Sequence, residues 1–424
     1  MKRLTGVVAT VACLLMSSIA GAQTLSCSSA VTLNGPVVEV TAVDGEDTEN
    51  LQCALTEAAA QGFREVLLTS SAYEIGAISV TGFNGDLTGI SQAATSVRVL
   101  DGSLSCSDNV SAALTFNVGN TAVRKMTIST DSPCGNGGDA ALIGFFSNPN
   151  SCTTRTTFGN VDRVALAGTG VNGSDLVAGV VMAEAPNCDA ETQKVLGTLR
   201  VNRSSLTDLD FGVTSTVAGG GQVDINFNEF TRIGLPISIL DASQNTTILN
   251  NTINYNDAPG YFLGGGLGTF GIFVGNTAQS PATNSTTIRA NTFNDGGVTI
   301  AGVAVVTGQV DKVINHSMVV SGNTFNGNDS NTGGSGIAAT DTTGGLVSGN
   351  RFAGFASDWV NLQSGDLGVT VSGWAIVSNN FNPSTATTDI RLGTGTSGIV
   401  VGRAQNSPEV DDTTGDNDVL ESAP

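Results

Sequence analysis

Acidic, basic and aromatic side chains that could take part in a reaction recur at matching distances after Leu206, Phe230 and Ile253. Two or four residues beyond these apolar positions stand Asp208, Asp210, Arg232, Tyr255 and Asp257. Side chains two residues apart in a strand share a face, and equivalent residues of stacked parallel strands lie about 4.8 Å apart. The spacing therefore predicts one outer patch that crosses three stacked strands.

Glycoside hydrolysis is the chemistry that such a patch could perform. Asp210 and Asp257 would be two strands, about 9.6 Å, apart. That is the upper end of the separation in inverting enzymes, where one acid protonates the leaving oxygen and the other activates water. With Asp208 they are the candidate catalytic residues, while Tyr255 could stack on a sugar and Arg232 could neutralise a carboxylate. The alternative is structural, because Asp often caps turns and Arg between acids often forms a surface ion pair.

A repeated segment supplies the scaffold for these residues. An aliphatic residue, small residues, an Asn and then Phe or Ile recur, as in "TIRANTF" and "VVSGNTF". The final positions align as Leu166, Leu206, Phe230, Ile253, Phe293, Phe325, Phe352 and Phe381. They are 23 to 40 residues apart, which is typical of a solenoid with one coil per repeat and variable insertions. Like side chains are then expected to stack on one another along the axis.

The asparagine of each repeat has a structural interpretation. These residues are Asn228, Asn251, Asn291, Asn323, Asn350 and Asn379. A coil must bend between strands, and Asn tolerates the left-handed backbone conformation that such a bend requires. In register, their amides would hydrogen-bond along the axis, so we expect a ladder rather than a set of ligands.

Helical periodicity appears once, in "ENLQCALTEAAAQG", where Leu51, Leu55 and Ala58 share a face and Gly62 fits the C-terminal cap. With "EVLLTSSAYEI" and "LTGIS" after it, this helix resembles the N-terminal capping region of the pectate-lyase-like superfamily. The resemblance covers residues 37–402 and implies an all-β fold: a right-handed parallel β-helix solenoid with a short N-terminal capping α-helix. A β-helix domain is expected over residues 23–404.

The resemblance also implies a polysaccharide or cell-surface glycan as partner, because enzymes of this superfamily act on polysaccharides in a groove outside the coils. Their motifs are not found: the lyase base pattern, the polygalacturonase set and the Asp-Pro-His-Asp of epimerases. The only histidine, His316, lacks flanking glycines. Two hypotheses stand. The chain is a secreted β-helix that binds or processes polysaccharide, as a hydrolase or lyase if it is an enzyme, or it is a non-catalytic, adhesin-like surface or structural protein.

The N-terminus and the cysteines predict export. Lys2 and Arg3, an apolar run and a small-residue cleavage site predict a signal peptide over residues 1–22, hence a secreted or periplasmic protein. The six cysteines after it allow fifteen disulfide connectivities. We expect sequential pairs: Cys27–Cys53, Cys106–Cys134 and Cys152–Cys188. Free buried thiols are the alternative.

Charge and composition exclude several partners. A formal net charge of −20 disfavours nucleic acid and anionic lipid, and no stretch after the signal is long and apolar enough for membrane insertion. No cofactor and no metal site are predicted; Ca²⁺ is the alternative, but no motif supports it, since the calcium-binding nonapeptide does not recur. Residues 405–424 are acidic, offer little to bury and are predicted to form a disordered tail.

Overall fold

The computed structural model describes residues 24–106, 111–135, 137–146, 157–169, 175–183, 197–216, 221–239, 245–254, 270–276, 284–294, 297–302, 314–327, 335–354, 358–365, 368, 370–382, 388–402, 404 and 408–420. These residues form a right-handed parallel β-helix closed at its N-terminal end by one α-helix, so the predicted fold class is confirmed. Their strands belong to a large sheet of 25 strands and a small sheet of 12.

The large sheet contains two rows of strands separated by a bend, so each coil has three faces. The first row consists of Val31–Asn34, Val37–Val40, Glu65–Leu68, Gly85–Thr88, Gly197–Asn202, Gln222–Asn226, Asn245–Leu249, Asn284–Arg289, Ile314–Ser321, Thr342–Ser348, Val371–Val377, Thr396–Ser397, Val400–Val401 and Asp418–Val419. The second row consists of Ala72–Ile75, Ser96–Val99, Ser205–Thr207, Glu229–Thr231, Thr252–Asn254, Thr292–Asn294, Thr324–Asn326, Arg351–Ala353 and Asn380–Phe381. Two longer strands, Gly119–Thr130 and Thr157–Ala167, run through both rows.

The small sheet supplies the third face. It consists of Ile78–Thr81, Ser111–Asn117, Gly138–Phe146, Asp175–Ala183, Phe211–Ser215, Leu235–Ile239, Phe270–Asn276, Gly297–Gly302, Ser335–Thr340, Asp358–Gln363, Thr388–Leu392 and Val410–Asp412. Its neighbouring strands pair in parallel, as do those of the large sheet apart from the first hairpin, Val31–Asn34 with Val37–Val40.

The predicted stack of apolar residues lies at the centre of the coils. Each aligned residue from Leu166 to Phe381 faces its counterpart in the next coil, and each is at most 1% exposed. The rings of Phe325 and Phe352 stack with centroids 5.0 Å apart. Burying one such side chain stabilises the fold by about 2–3 kcal/mol, so the stack is a main source of stability.

The asparagine ladder is confirmed, but its backbone explanation is wrong by one residue. Asn228, Asn251 and their counterparts are buried and hydrogen-bonded in series to Asn379. The left-handed conformation belongs to the residue before each ladder Asn: Phe227, Asn250, Ala290, Gly322, Gly349 and Ser378. Arg203, which precedes Ser204 at the same place in an earlier coil, is left-handed too. The Asn side chain is therefore retained for its hydrogen bonds, while the preceding residue makes the bend.

The capping helix spans Thr48–Gln61 and buries Leu51, Ala54, Leu55 and Ala58 against the first coils. Gly62 ends it with a φ of 77°, as expected for a left-handed C-terminal cap. In the described part of the chain, no helix is long and apolar enough to cross a membrane.

Two of the three predicted disulfides are confirmed. Cys27–Cys53 joins the N-terminal segment to the helix, and Cys106–Cys134 joins two coils. Cys152 and Cys188 lie outside the described residues, as does the predicted signal peptide, residues 1–22.

The predicted disordered tail is wrong over residues 408–420. Val410–Asp412 pairs with Thr388–Leu392, and Asp418–Val419 pairs with Val400–Val401. The open edge of each sheet offers backbone hydrogen bonds to any following segment, so a segment with few apolar residues can still add a further coil.

Candidate functional site

The predicted patch is divided because the chain bends where a continuous strand was expected. The strand Ser205–Thr207 ends immediately before Asp208, whose φ of 56° is left-handed. The next residue, Leu209, is fully buried in the core. Asp208 and Asp210 therefore do not share one outer face, and that expectation is wrong.

Asp208 and Arg232 form a surface ion pair. Arg232 donates from Nε and from a terminal nitrogen to the two carboxylate oxygens of Asp208, both at 2.6 Å. The hydrogen bonds and charge of Asp208 raise the pKa of Arg232. Their side chains are 27% and 46% exposed, so the pair remains reachable from solvent.

Asp210 is buried, with only 2% of its surface exposed. Its carboxylate accepts a hydrogen bond of 2.6 Å from the Val177 N–H in the preceding coil. Burial raises the pKa of Asp210 from 3.8 to about 6, against the lowering effect of that hydrogen bond. The other two members of the predicted set, Tyr255 and Asp257, lie outside the described residues.

Asp175 is an acid near Asp210 that the spacing of the apolar residues did not indicate. Its negative charge contributes to the raised pKa of Asp210. Asp175 accepts hydrogen bonds from the Cys134 and Gly137 N–H groups and from the Ser132 hydroxyl. Burial acts to raise the pKa of Asp175, but these bonds prevail and lower it. The pKa of Asp175 is thus lowered while that of Asp210 is raised. The hydrogen bonds of Asp175 also hold the turn that contains Cys134 of the second disulfide.

An open groove of about 620 Å³ lies where the first row of the large sheet bends into the second. We call it the Phe227 groove; its lining residues are Gln92, Arg203, Ser204, Ser205, Phe227, Asn228, Glu229, Asn250 and Thr252. Phe227 is 61% exposed, the largest exposed fraction among the large apolar side chains that the structure describes. The groove thus combines one aromatic face with amide, hydroxyl, guanidinium and carboxylate groups.

Backbone and side-chain hydrogen bonds hold the residues of this groove in place. Phe227 has a φ of 60°, and its N–H donates to the Leu249 carbonyl at 3.0 Å. Arg203 donates from Nε to the buried Asp162 at 2.8 Å. Gln92 reaches in from a distant loop and donates to the Ser205 hydroxyl at 3.2 Å. A bulky residue with left-handed φ costs about 1–2 kcal/mol, and this conformation recurs at the bend of each coil.

Little in the residue pattern indicates this groove. In "NFNEF" the second aromatic, Phe230, aligns with the core stack, and the first, Phe227, precedes the ladder residue Asn228. The available signal was a second Phe at a bend position where Asn or Gly is usual.

No protein-family model matches the chain, and no curated protein is significantly similar to it. Among solved structures it is similar to the A-module of mannuronan C-5 epimerase AlgE4 from Azotobacter vinelandii, with 13% identity, a TM-score of 0.49 and coverage of 90% of this chain and 95% of that one. It is also similar to a catalytic unit of GH87 alpha-1,3-glucanase from Streptomyces thermodiastaticus, with 13% identity, a TM-score of 0.42 and coverage of 93% and 71%.

A tailspike protein of Bacteriophage CBA120 matches with 13% identity and a TM-score of 0.37 over 90% of this chain and 61% of that one. At 13% identity, each of these three likenesses concerns the fold alone. In the described residues, no three His, Cys, Asp or Glu side chains come together in a way that could hold a metal ion.

Proposed function

We propose that this protein is a secreted β-helix that binds polysaccharide in the Phe227 groove. The exposed ring of Phe227 among hydrogen-bonding side chains is the observation that supports this function. An aromatic ring offers a flat apolar surface to the C–H face of a sugar. Arg203, Glu229 and Asn250 supply charged and amide groups at the same place, which suit hydroxyl groups.

The exposure of the Phe227 ring favours a binding role over an incidental surface position. Asn or Gly at residue 227 would relieve the left-handed conformation and remove an exposed apolar ring. Phe227 does neither. The same bend position carries Arg203, Ala290 and Ser378 in other coils, so the left-handed conformation belongs to the scaffold and the exposed aromatic ring is what distinguishes Phe227. Two of the similar structures are named as enzymes that act on mannuronan or on alpha-1,3-glucan, which supports a glycan partner by analogy of fold.

Glycan cleavage is the second candidate function, with Asp208, Asp210 and Asp257 as the proposed acids. The observation in its favour is the pKa of Asp210, which burial raises to about 6 and which suits a proton donor near neutral pH. Only 2% of the surface of Asp210 is exposed, which leaves a glycan little access to its carboxylate, so we rank binding ahead of cleavage. A screen against neutral and uronate glycans, repeated with Asp210→Asn and Asp257→Asn, tests this function. Product formation that survives both substitutions would remove these acids from the reaction.

Export belongs to the same proposal. Two disulfides are compatible with an oxidising compartment outside the cytoplasm. Cleavage after Ala22 would then leave Gln23 as the first residue of the mature protein. N-terminal sequencing of the exported protein tests this position, and a mature chain that keeps Lys2 and Arg3 would contradict it.

The binding function is tested by co-sedimentation with a panel of insoluble neutral and acidic polysaccharides. We expect wild type to bind at least one of them and Phe227→Ala to lose at least tenfold in affinity. Leu420→Ala is the matched control, because Leu420 is a 60% exposed apolar residue outside the groove. Equal binding by wild type and Phe227→Ala, or no binding by folded wild type, would overturn the proposal.

A further inference from the structure

Three successive coils carry a basic residue at the same place, the bend between the first and second rows of the large sheet. These residues are Lys125, Arg163 and Arg203, and the parallel pairing on both sides of the bend sets them in register. We call them the basic row. Phe227 occupies the same position in the next coil, so the basic row runs into the Phe227 groove, which Arg203 also lines.

A line of bases is unusual in this chain. Only 17 of its 424 residues are Lys or Arg, and its formal net charge is −20. The bend itself does not require a base, because the same position holds Ala290, Gly322 and Ser378 in later coils. Neighbouring strands are about 4.8 Å apart, so the three backbone positions of the basic row span about 9.6 Å along the axis. The row is therefore a local line of positive charge on an acidic protein.

A buried acid orients two of these bases. Arg203 donates from Nε to Asp162 Oδ1 at 2.8 Å, and Arg163 donates from Nε to Asp162 Oδ2 at 3.1 Å. The Asp162 side chain is 4% exposed, whereas those of Arg163 and Arg203 are 47% and 59% exposed. One carboxylate cannot neutralise two guanidinium groups, and among the described residues no carboxylate forms an ion pair with Lys125. The basic row therefore keeps an excess of positive charge that solvent can reach.

A loop from the preceding coil flanks the basic row. The Gln92 carbonyl accepts a hydrogen bond of 2.8 Å from Thr127 Oγ1, and the Gln92 side chain donates to Ser205 Oγ at 3.2 Å. Thr127 and Ser205 each lie two residues beyond a member of the row, Lys125 and Arg203. The loop thus lies along the second-row side of the basic row, and the same Gln92 lines the Phe227 groove.

The charges define the class of ligand. Guanidinium and ammonium groups in a line suit carboxylate or sulfate groups that repeat along a polymer, and Arg can bind such groups with two parallel hydrogen bonds. Glu229 is the acid that lines the Phe227 groove, but its Oε1 accepts from Asn254 at 3.4 Å in the following coil, away from the row. Salt screens the net charge of the protein beyond about 8 Å at physiological ionic strength, so the local row determines what binds on contact.

We propose that the polysaccharide bound at Phe227 is acidic and lies along the basic row, with its carboxylate or sulfate groups on Arg203, Arg163 and Lys125. This inference rests on the proposed function, since it places one polymer over both the ring and the row. It adds the chemical class of the polymer and two binding residues, Lys125 and Arg163, that do not line the Phe227 groove.

Three soluble polymers with one backbone test this inference: neutral dextran, carboxymethyl-dextran and dextran sulfate. Isothermal titration calorimetry at about 50 mM NaCl should show wild type binding at least one charged dextran about tenfold more tightly than dextran, and this preference should disappear at about 1 M NaCl. The double variant Lys125→Gln/Arg163→Gln should bind the charged dextran about tenfold more weakly than wild type. The matched control is Arg289→Gln/Arg351→Gln, which removes two exposed charges in later coils and should bind like wild type.

A wild type that binds neither charged dextran more tightly than dextran would overturn the inference, as would unchanged binding by the folded double variant. Equal affinity for single-stranded DNA would overturn it too, by showing a site for any polyanion. If circular dichroism shows that the double variant does not fold, Lys125→Gln alone decides between the same outcomes. Polysaccharide binding that needs Phe227 but not the basic row would remove this inference and leave the proposed function standing. Binding that needs the row but not Phe227 would do the reverse.

Discussion

Asn251 accepts two hydrogen bonds from Asn228 through a single side-chain oxygen. The Asn228 backbone N–H and side-chain Nδ2 lie 2.9 and 3.0 Å from Asn251 Oδ1. The same arrangement continues from coil to coil as far as Asn379. Because Phe227 directly precedes Asn228, the ladder fixes the backbone that presents the exposed ring.

The ladder is expected to be a major determinant of stability. Asn291 Oδ1 accepts from the backbone and side chain of Asn251, and its Nδ2 donates to Ile248 O and Asn323 Oδ1. Asn291→Ala removes all four bonds and leaves a buried N–H unpaired, so we expect a loss of about 4 kcal/mol in the free energy of unfolding. Urea denaturation followed by circular dichroism measures this loss.

Asn294→Ala is the control for the ladder. Asn294 is half-buried and makes side-chain bonds to Asn254 and Asn326 on the outside of the coils. Because water can replace these bonds, we expect a loss of about 1 kcal/mol. An equal loss of unfolding free energy in Asn291→Ala and Asn294→Ala would show that burial of the ladder adds nothing to the stability that its hydrogen bonds give.

Asp210 should make stability depend on pH. Burial raises its pKa from 3.8 to about 6, so the folded state holds the extra proton between these values. The contribution of Asp210 to stability is therefore present at low pH and is lost as pH rises through about 6. Asn keeps an acceptor for the Val177 N–H without the charge. We expect Asp210→Asn to be more stable than wild type by up to about 3 kcal/mol at pH 8 and by only about 1 kcal/mol at pH 4.5.

Chemical denaturation of both proteins at the two pH values measures this difference. Acids that do not interact with Asp210 titrate equally in both proteins, so they cancel in the comparison; Asp175, whose charge acts on Asp210, is the exception. A difference in the free energy of unfolding that is the same at pH 4.5 and pH 8 would contradict the assigned pKa shift.

The cysteine pairing yields a further prediction. Two pairs are sequential, and we expect the third to be Cys152–Cys188. Mass spectrometry of the mature protein, alkylated without reduction and then digested, should find three cross-linked peptide pairs and no alkylated cysteine. A free, alkylated Cys152 or Cys188 would refute the third bond and leave the other two unaffected.

Removing the first disulfide should destabilise the capped end. It closes a loop of 26 residues, for which chain entropy gives a stabilisation of about 3.5 kcal/mol. The double variant Cys27→Ser/Cys53→Ser should lose about that much in the free energy of unfolding. An unchanged urea midpoint would show that packing of Leu51 and Leu55 alone holds the helix in place.

The coil register could be predicted from the sequence because two recurring residues mark it. Phe325 and Phe352 each follow an Asn by two positions, and each residue type has one place in the coil that it fits. The tail could not be predicted in this way. Residues 410–412 form a coil through backbone pairing, which leaves little trace in side-chain type.

The site could be predicted only in part, because the alternation of side chains between the two faces of a strand does not show where the strand ends. "LTDLDF" is compatible with one continuous strand, but a single left-handed residue, Asp208, turns Leu209 into the core and buries Asp210. Asp is tolerated both in turns and at strand ends, so residue type does not reveal the bend.

The role of Phe227 is tested most directly by measuring polysaccharide affinity in two variants, one that keeps the aromatic ring and one that removes it while relieving the backbone strain. Phe227→Tyr keeps the ring, and Phe227→Asn removes the ring while relieving the left-handed conformation by about 1 kcal/mol. Co-sedimentation with increasing amounts of the polysaccharide that wild type binds should give Phe227→Tyr an affinity within threefold of wild type. Phe227→Asn should bind at least tenfold more weakly although it unfolds at a higher urea concentration. A Phe227→Asn variant that binds as tightly as wild type would contradict glycan recognition by this ring.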